Sequence, residues 1–422
     1  LILSLSNRGI GVIFVGFVNV CLFSKPDSGE QGVQRSMGLL SNTVSVSQFD
    51  VVGDFPEGDL AQWVGEKLAE HAFSSIENSA EELALGWVEL DDFQAMEFAD
   101  PSSWWRDDYV AFTLRRDQRR LPSALVKGEL QREQQRFLAE NPTYQRVPKD
   151  KNDELKELVR NRLLVRVLPS PSLMDVVWNL RTGRLTFASV STRAMDDLTD
   201  LFQKTFVGLR LVSVYPMQRA RLVTPDALQD ALAAENPSAE GSVMEQIRDN
   251  QWLGSEFLMW LLYGTTNARS DYQVTCDGPA AAGESFVAYL DNRFLLTGQG
   301  NEGAQKVTVV GPQDRFEEVR VALRQGKEIG EATIHMEKLE HQWRLTLKGE
   351  LFQFGSFKCP TVRIEKGAEL EDERLAVFYE RMHVFEEGLQ LFDSLFAAFL
   401  AERLGGQWGQ CCQQINQWLE PQ

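Results

Sequence analysis

The stretch YVAFTLRRDQRRLPSALVKGELQREQQRFLAENPTYQRVPKDKNDELKELVRNRLLVRVLPSPSLMDVVWNLRTGRLTFASV, residues 109–190, decides how this chain is read. Tyr109–Leu114 reads as a strand. Pro122, suited to a helix's first turn, then opens a polar helical stretch that ends near Glu140, and the loop NPTYQRVPKD breaks the pattern. From about Asn152 to Val167, Leu155, Leu158, Val159, Leu163 and Leu164 recur at offsets of three and four, with Lys156, Arg160, Arg162 and Arg166 around the rest, which makes an amphipathic basic helix. Leu173–Leu180 and Leu185–Val190 alternate on either side of Arg181-Thr182-Gly183-Arg184, the pattern of a hairpin with a Gly-bearing turn. The expected class is α+β: an elongated subunit of two α/β units, with a protruding basic helical arm over 115–168 and a long C-terminal helix.

Outward from this stretch the alternation continues. Thr43–Phe49 reads as a strand, Leu60–Phe73 as a helix striped by Leu60, Trp63, Val64 and Leu68, and Gly86–Leu90 as a strand. A helix near 192–206 and a strand at Leu209–Val214 close an N-terminal unit, 37–216. Residues 217–250 are Ala-, Asp- and Glu-rich, with Asn236-Pro237-Ser238 and Glu240-Gly241-Ser242 as breakers, and read as a linker or insertion. A second unit, 251–365, opens with the apolar helix Trp252–Tyr263 and continues through strands near 285–290, 293–297, 305–310, 328–337 and 341–348, with a helix Asp314–Gln325. In the segment 366–422 a helix near Asp372–Leu404 carries Phe378, Met382, Phe385, Leu389, Phe392 and Phe396 on one broad face and stops at Gly405-Gly406. Residues 1–36 are apolar from Ile10 to Phe23, a run too short to span a bilayer. They read as an upstream extension ahead of Met37, with a secretory signal as the alternative.

The chain has 422 residues, with 43 Lys+Arg against 61 Asp+Glu and a formal charge of −18. That balance excludes a protein that coats nucleic acid or anionic membrane with its whole surface. The positive charge is concentrated instead. Between Arg115 and Arg166 there are 14 Lys/Arg against 8 Asp/Glu, a local net of +6, which leaves −24 on the other 370 residues. A basic arm on an acidic body confines a polyanion to one surface and releases counterions there. The candidate DNA-binding residues are Arg115, Arg119, Arg120, Lys127, Arg132, Arg136, Lys149, Lys151, Lys156 and Arg160. The plainer reading is a solvated helical face, in which Glu129, Glu133, Glu154 and Glu157 partner the neighbouring cations. No base-reading motif is present, so any contact is with phosphates and is indifferent to sequence.

Other chemistry finds little support. The five cysteines are scattered without CxxC spacing, and His335 and His341 lie in strand-rich sequence, so no metal or cofactor is expected. Asp91-Asp92 and Asp107-Asp108 are candidates for a Mg²⁺-dependent nuclease site, but neighbours on a strand point to opposite faces. Gly298-Gln299-Gly300-Asn301-Glu302-Gly303 matches GxGxxG, yet a strand-like run follows it where a dinucleotide site needs a helix, so it reads as a hairpin loop. Trp104-Trp105, set among Pro, Ser, Arg and Asp, is expected in a partly exposed loop.

The order of motifs resembles the recombination-associated RdgC family of bacteria. The resemblance rests on the Met37 start, the Gly86-Trp87-Val88 strand, and the strand-to-helix stretch Arg120-Leu121-Pro122-Ser123-Ala124-Leu125-Val126-Lys127. It continues through Asn152-Asp153-Glu154-Leu155-Lys156, the Trp178 hairpin with Gly183, Glu317-Glu318 through Gly326-Lys327, and the terminal helix ending Leu404-Gly405-Gly406. It covers most of 37–406. What it implies is a non-enzymatic DNA-binding protein of the cytoplasm and nucleoid, without cofactor or membrane partner. Its subunits pair at both ends into a ring-forming homodimer that encircles duplex DNA, with single strands as an open second substrate, and it restrains RecA-promoted strand exchange. Two departures stand out. The family's aromatic tip contact is replaced by Leu168-Pro169-Ser170-Pro171, so Leu168 and Pro169 become the expected dimer contact, with less apolar burial. The loop Val310-Gly311-Pro312 is apolar where the family can be basic. The rival functions are a scaffold whose arm docks an acidic protein and a nuclease built on Asp91, Asp92 or Asp107.

Overall fold

In the computed structural model, the described residues are 38–420 apart from 80, 268, 301–302, 312–315 and 363–369. The extension read at 1–36 lies outside them. The first half runs β1 (Thr43–Gly53), α1 (Leu60–Glu70), β2 (Leu83–Glu89), β3 (Trp105–Arg106), β4 (Tyr109–Gln118), α2 (Ser123–Glu140), α3 (Lys149–Leu164), β5 (Ser170–Asn179), β6 (Arg184–Phe187), α4 (Thr192–Thr205) and β7 (Leu209–Ser213). The second runs α5 (Pro216–Val223), α6 (Gln229–Ala234), α7 (Val243–Asp249), α8 (Trp252–Thr266), β8 (Asp271–Gln273), β9 (Ser285–Gly300), β10 (Gly303–Val310), α9 (Glu317–Arg324), β11 (Glu328–Lys338), β12 (His341–Lys348), β13 (Gln353–Lys358), α10 (Leu370–Leu404) and α11 (Trp408–Leu419). The chain is α+β.

One antiparallel sheet runs through both halves in the order β10-β9-β11-β12-β13-β1-β6-β5-β4-β2. β1 is the joint: Thr43–Val46 pairs with β13, while Ser47–Gly53 pairs with β6 and β7. The two units expected from the sequence therefore share a strand. Alternation along β4 feeds two cores at once. Val110, Phe112 and Leu114 join Trp87, Trp178, Phe202 and Phe206 under α1 and α4, whereas Ala111 faces the core that α8 and α10 build from Phe257, Trp343, Phe354, Phe392 and Phe396.

Three sequence readings are corrected. Residues 217–250 are largely helical, and Met217, Ala220, Leu232 and Ile247 enter the core. The supposed breakers end α6 and cap α7, where Ser242 and Glu245 form a reciprocal capping box. Arg219 of α5 is fully buried, bonded to Asp393 and Gln48 and lying 5.1 Å from the Phe354 ring, so this segment ties β1 to α10. Trp104 is buried at 1%, its ring over Gly65 of α1, where a Cβ would come within 2.7 Å. The chain also does not end its structure at Gly405-Gly406. α11 packs back through Cys411 and Ile415, and Arg320 sits 5.1 Å from the Trp418 ring. The Gly298–Gly303 match is a hairpin as read, with Gly300 opposite Gly303.

Candidate nucleic-acid interface

β4 and β5 pair down to Gln118 opposite Ser170, so everything from Arg119 to Pro169 leaves the sheet and returns to it at one point. Pro122 and Pro148 stand immediately before α2 and α3, and their fixed φ sets the chain on course for each first turn. Val126, Leu130, Phe137 and Leu138 form a half-buried stripe on α2, and α3 buries Leu155, Val159, Leu163 and Leu164. Gln134 bonds Asn152 at 2.6 Å and Arg162 bonds Glu133 at 2.6 Å, which joins the helices. No residue of α2 is fully buried.

The ten cations named from the sequence separate into two sets. Arg115 and Arg119 belong to the fold. Arg115 grips Asp117 through Nε and Nη2, both at 2.9 Å, and lies 4.1 Å from the Phe73 ring. Arg119, 3% exposed, donates to the carbonyls of Ile76, Glu77, Ser79 and Glu81 and so holds the loop before β2 against the end of β4. Neighbouring Arg116 is likewise buried on Asp197 at 2.9 Å. These side chains are enclosed because β4 is covered on both faces. Arg115 and Arg119 are thereby corrected from DNA contacts to structural residues.

The rest reach solvent. Arg120, Lys127, Arg132, Arg136, Lys149, Lys156 and Arg160 are exposed, and Lys151 is partly so. Four make pairs one helical turn away: Arg132 with Glu129 at 2.6 Å, Arg136 with Glu140 at 3.4 Å, Lys151 with Glu154 at 2.8 Å and Lys156 with Asp153 at 2.7 Å. The Lys156 hydrogen bond holds the Asp153 carboxyl below its usual range, and Arg162 does the same to Glu133. Arg160 takes both oxygens of Glu82 and fastens α3 to the start of β2, which lowers the Glu82 pKa. Among the described residues Lys127 and Lys149 have no ion pair, and neither do Arg146 and Arg166, two exposed cations the candidate set passed over. Their signal was already in the charge count. From Arg120 to Arg166 eleven cations face seven carboxylates, a net of +4. Leu168 is 79% exposed and Pro169 half-buried.

The carboxylates considered for metal chemistry do not converge. Asp91 is held by Arg106 at 2.5 Å, the Asp92 side chain accepts from the Gln94 amide at 2.8 Å, and Asp107 accepts from the Tyr379 hydroxyl at 2.5 Å. Among the described residues no three His, Cys, Asp or Glu stand in metal-holding geometry. A cleft of about 1000 Å³ lies between the open side of β4–β6 and α10, lined by Tyr109, Asn179, Arg184, Tyr379, His383 and Glu386 among others. There Glu386 accepts from Tyr109 at 2.9 Å and from Asn179 at 3.3 Å, and burial pushes its carboxyl up.

The family model described as "RdgC: Putative exonuclease, RdgC" matches residues 57–240. Over those residues the chain is similar to the RdgC family. The RdgC segment runs from just before α1 to the loop after α6, so it contains the whole α2–α3 pair and its strand anchors and none of β9–β13. A comparison with curated proteins found no match.

Proposed function

We propose that the chain is a non-enzymatic protein that binds duplex DNA through α2 and α3 without reading sequence, and that as a homodimer it restrains RecA-dependent recombination at the nucleoid. The likeness of residues 57–240 to the RdgC family supports the recombination-related part. The observation that carries the DNA-binding part is a solvated helical pair with a net of +4, attached at one point to a chain whose total charge is −18. Its exposed ion pairs are no obstacle. Such pairs contribute between nothing and about 1 kcal/mol, so a phosphate can replace the carboxylate at little cost.

Placement adds to this. Lys149 and Lys151 stand in the first turn of α3, the positive end of the helix dipole, where cations reduce stability. Residues set against their own helix are better explained by an external anion. The contact set is Arg120, Lys127, Arg132, Arg136, Lys149, Lys151 and Lys156, with Arg160 anchoring α3 on Glu82. Exposed Leu168, beside Pro169, supplies an apolar surface for the second subunit. Among the described residues no helix is long and apolar enough to cross a membrane.

Gel-shift titration of duplexes of unrelated sequence over a salt series tests the reading. The expected result is equal affinity for each duplex, falling linearly on logarithmic axes with a slope of about −4 to −6. A flat salt response, or strong preference for one sequence, contradicts it. Mg²⁺-dependent degradation of the duplex would instead establish the exonuclease activity that the family description names.

A further inference from the structure

A second arrangement of aromatic and cationic groups lies on the other half of the sheet. α8 and α10 cover one face of β9, β11, β12 and β13 through Phe286, Ala288, Ile334, Met336, Trp343, Leu345 and Phe357. The alternate residues face away from that core. Pairing register then lines up a row across five strands: Tyr289 opposite His335, His335 opposite Arg344, Arg344 opposite Lys358, and Lys358 opposite Thr43. At about 4.8 Å per strand the row from Tyr289 to Lys358 is about 14 Å long.

Its two ends differ in chemistry. The Tyr289 and His335 rings stack in parallel, with centroids 5.1 Å apart and planes within 9°. The Asn292 amide lies 3.1 Å from His335 Nε2, and the Tyr289 hydroxyl donates to Glu337 at 2.8 Å, so both rings are fixed in place. Burial lowers the His335 pKa, which keeps the ring neutral at pH 7. At the other end Arg344 and Lys358 are exposed, and among the described residues neither makes an ion pair. Of the carboxylates nearby, Glu331 is engaged by Arg293 at 3.1 Å and Glu337 by Tyr289, while Asp291 stands close enough to act electrostatically on both rings.

We propose that this open sheet face is a second nucleic-acid surface, one that takes a single strand by stacking an unpaired base against the Tyr289–His335 pair and holding the adjoining phosphates on Arg344 and Lys358. A stacked ring pair that a base can extend on its outer side, beside cations without ion pairs, suits single strands, because a duplex keeps its base faces covered. The proposal rests on the reading of the chain as a nucleic-acid-binding protein but uses no residue of α2 or α3.

The test is fluorescence anisotropy on the full chain, with labelled oligothymidylate and oligouridylate of about 30 nucleotides and a duplex of the same length. Arg344→Gln with Lys358→Gln, and separately Tyr289→Leu, should each weaken oligothymidylate binding about tenfold and leave duplex binding in place. Duplex binding retained by Tyr289→Leu separates the loss of stacking from misfolding. Parallel losses on oligouridylate support a surface for single strands of either sugar, and losses on oligothymidylate alone support one confined to DNA. Unchanged oligothymidylate affinity in the sheet variants, or no oligothymidylate binding by the parent, overturns the proposal. Failure of Lys127→Gln with Lys149→Gln to weaken the duplex would sink the role of the helical pair and leave this surface standing.

Discussion

Two groups of arginines and lysines, close in sequence and alike in composition, are put to opposite uses. Arg115, Arg116 and Arg119 lie on or just past a strand covered on both faces, and each is enclosed by carboxylates or carbonyls. The cations from Lys127 to Lys156, Arg146 of the connecting loop apart, lie on helices whose polar sides face solvent, and those with partners pair one turn away. The first group holds the sheet edge together; the second leaves its charge available. Counting charges along the chain merges them, whereas asking which element carries each residue separates them.

The comparison can be broken at its buried side first. Arg119→Ala removes the donor to four carbonyls in a site with 3% exposure, and should lower stability by about 3 kcal/mol in urea unfolding. A cost as small as that of Arg132→Ala would show that the two groups are not different in kind. On the exposed side, Leu168→Asp should raise the dissociation constant of the proposed homodimer about tenfold in analytical ultracentrifugation while the unfolding midpoint stays put. A dimer indifferent to this change would remove Leu168 from the interface.

A smaller effect belongs to α10. Because burial raises the Glu386 pKa in the folded state, the native protein holds the proton over a pH range in which the unfolded chain has lost it. Stability therefore falls as pH rises through that window. Glu386→Gln should raise the melting temperature modestly at pH 7, with the gain shrinking toward acid pH as both states of the parent become protonated. A gain independent of pH would contradict this account of the cleft.

Much of this architecture was legible in the sequence. α2 and α3, the β5–β6 hairpin and α10 followed from apolar spacing and from the prolines and glycines that bound them. The failures have physical causes. β13, QFGSFK, lacks clean alternation, and Phe352 just before it and Ser356 within it adopt left-handed φ of 48° and 47°, which bends the pattern out of register. α11 carries no acidic or basic residue within its span and follows a Gly-Gly stop, so nothing local marks it as a helix. The segment 217–250 looked like a linker because its breakers are real, but they separate short helices whose apolar residues are buried. The structural role of Arg119 had no local signal, since its four partners lie about 40 residues upstream.

The most direct measurement is the salt dependence of duplex binding by the parent and by a variant in which Lys127, Arg132, Arg136 and Lys149 are all changed to Gln. The slope of log affinity against log salt should become shallower by about 3 to 4 while the unfolding midpoint is unchanged. Identical slopes for the two proteins would show that the phosphates are met elsewhere, and the helical pair would lose its assigned role.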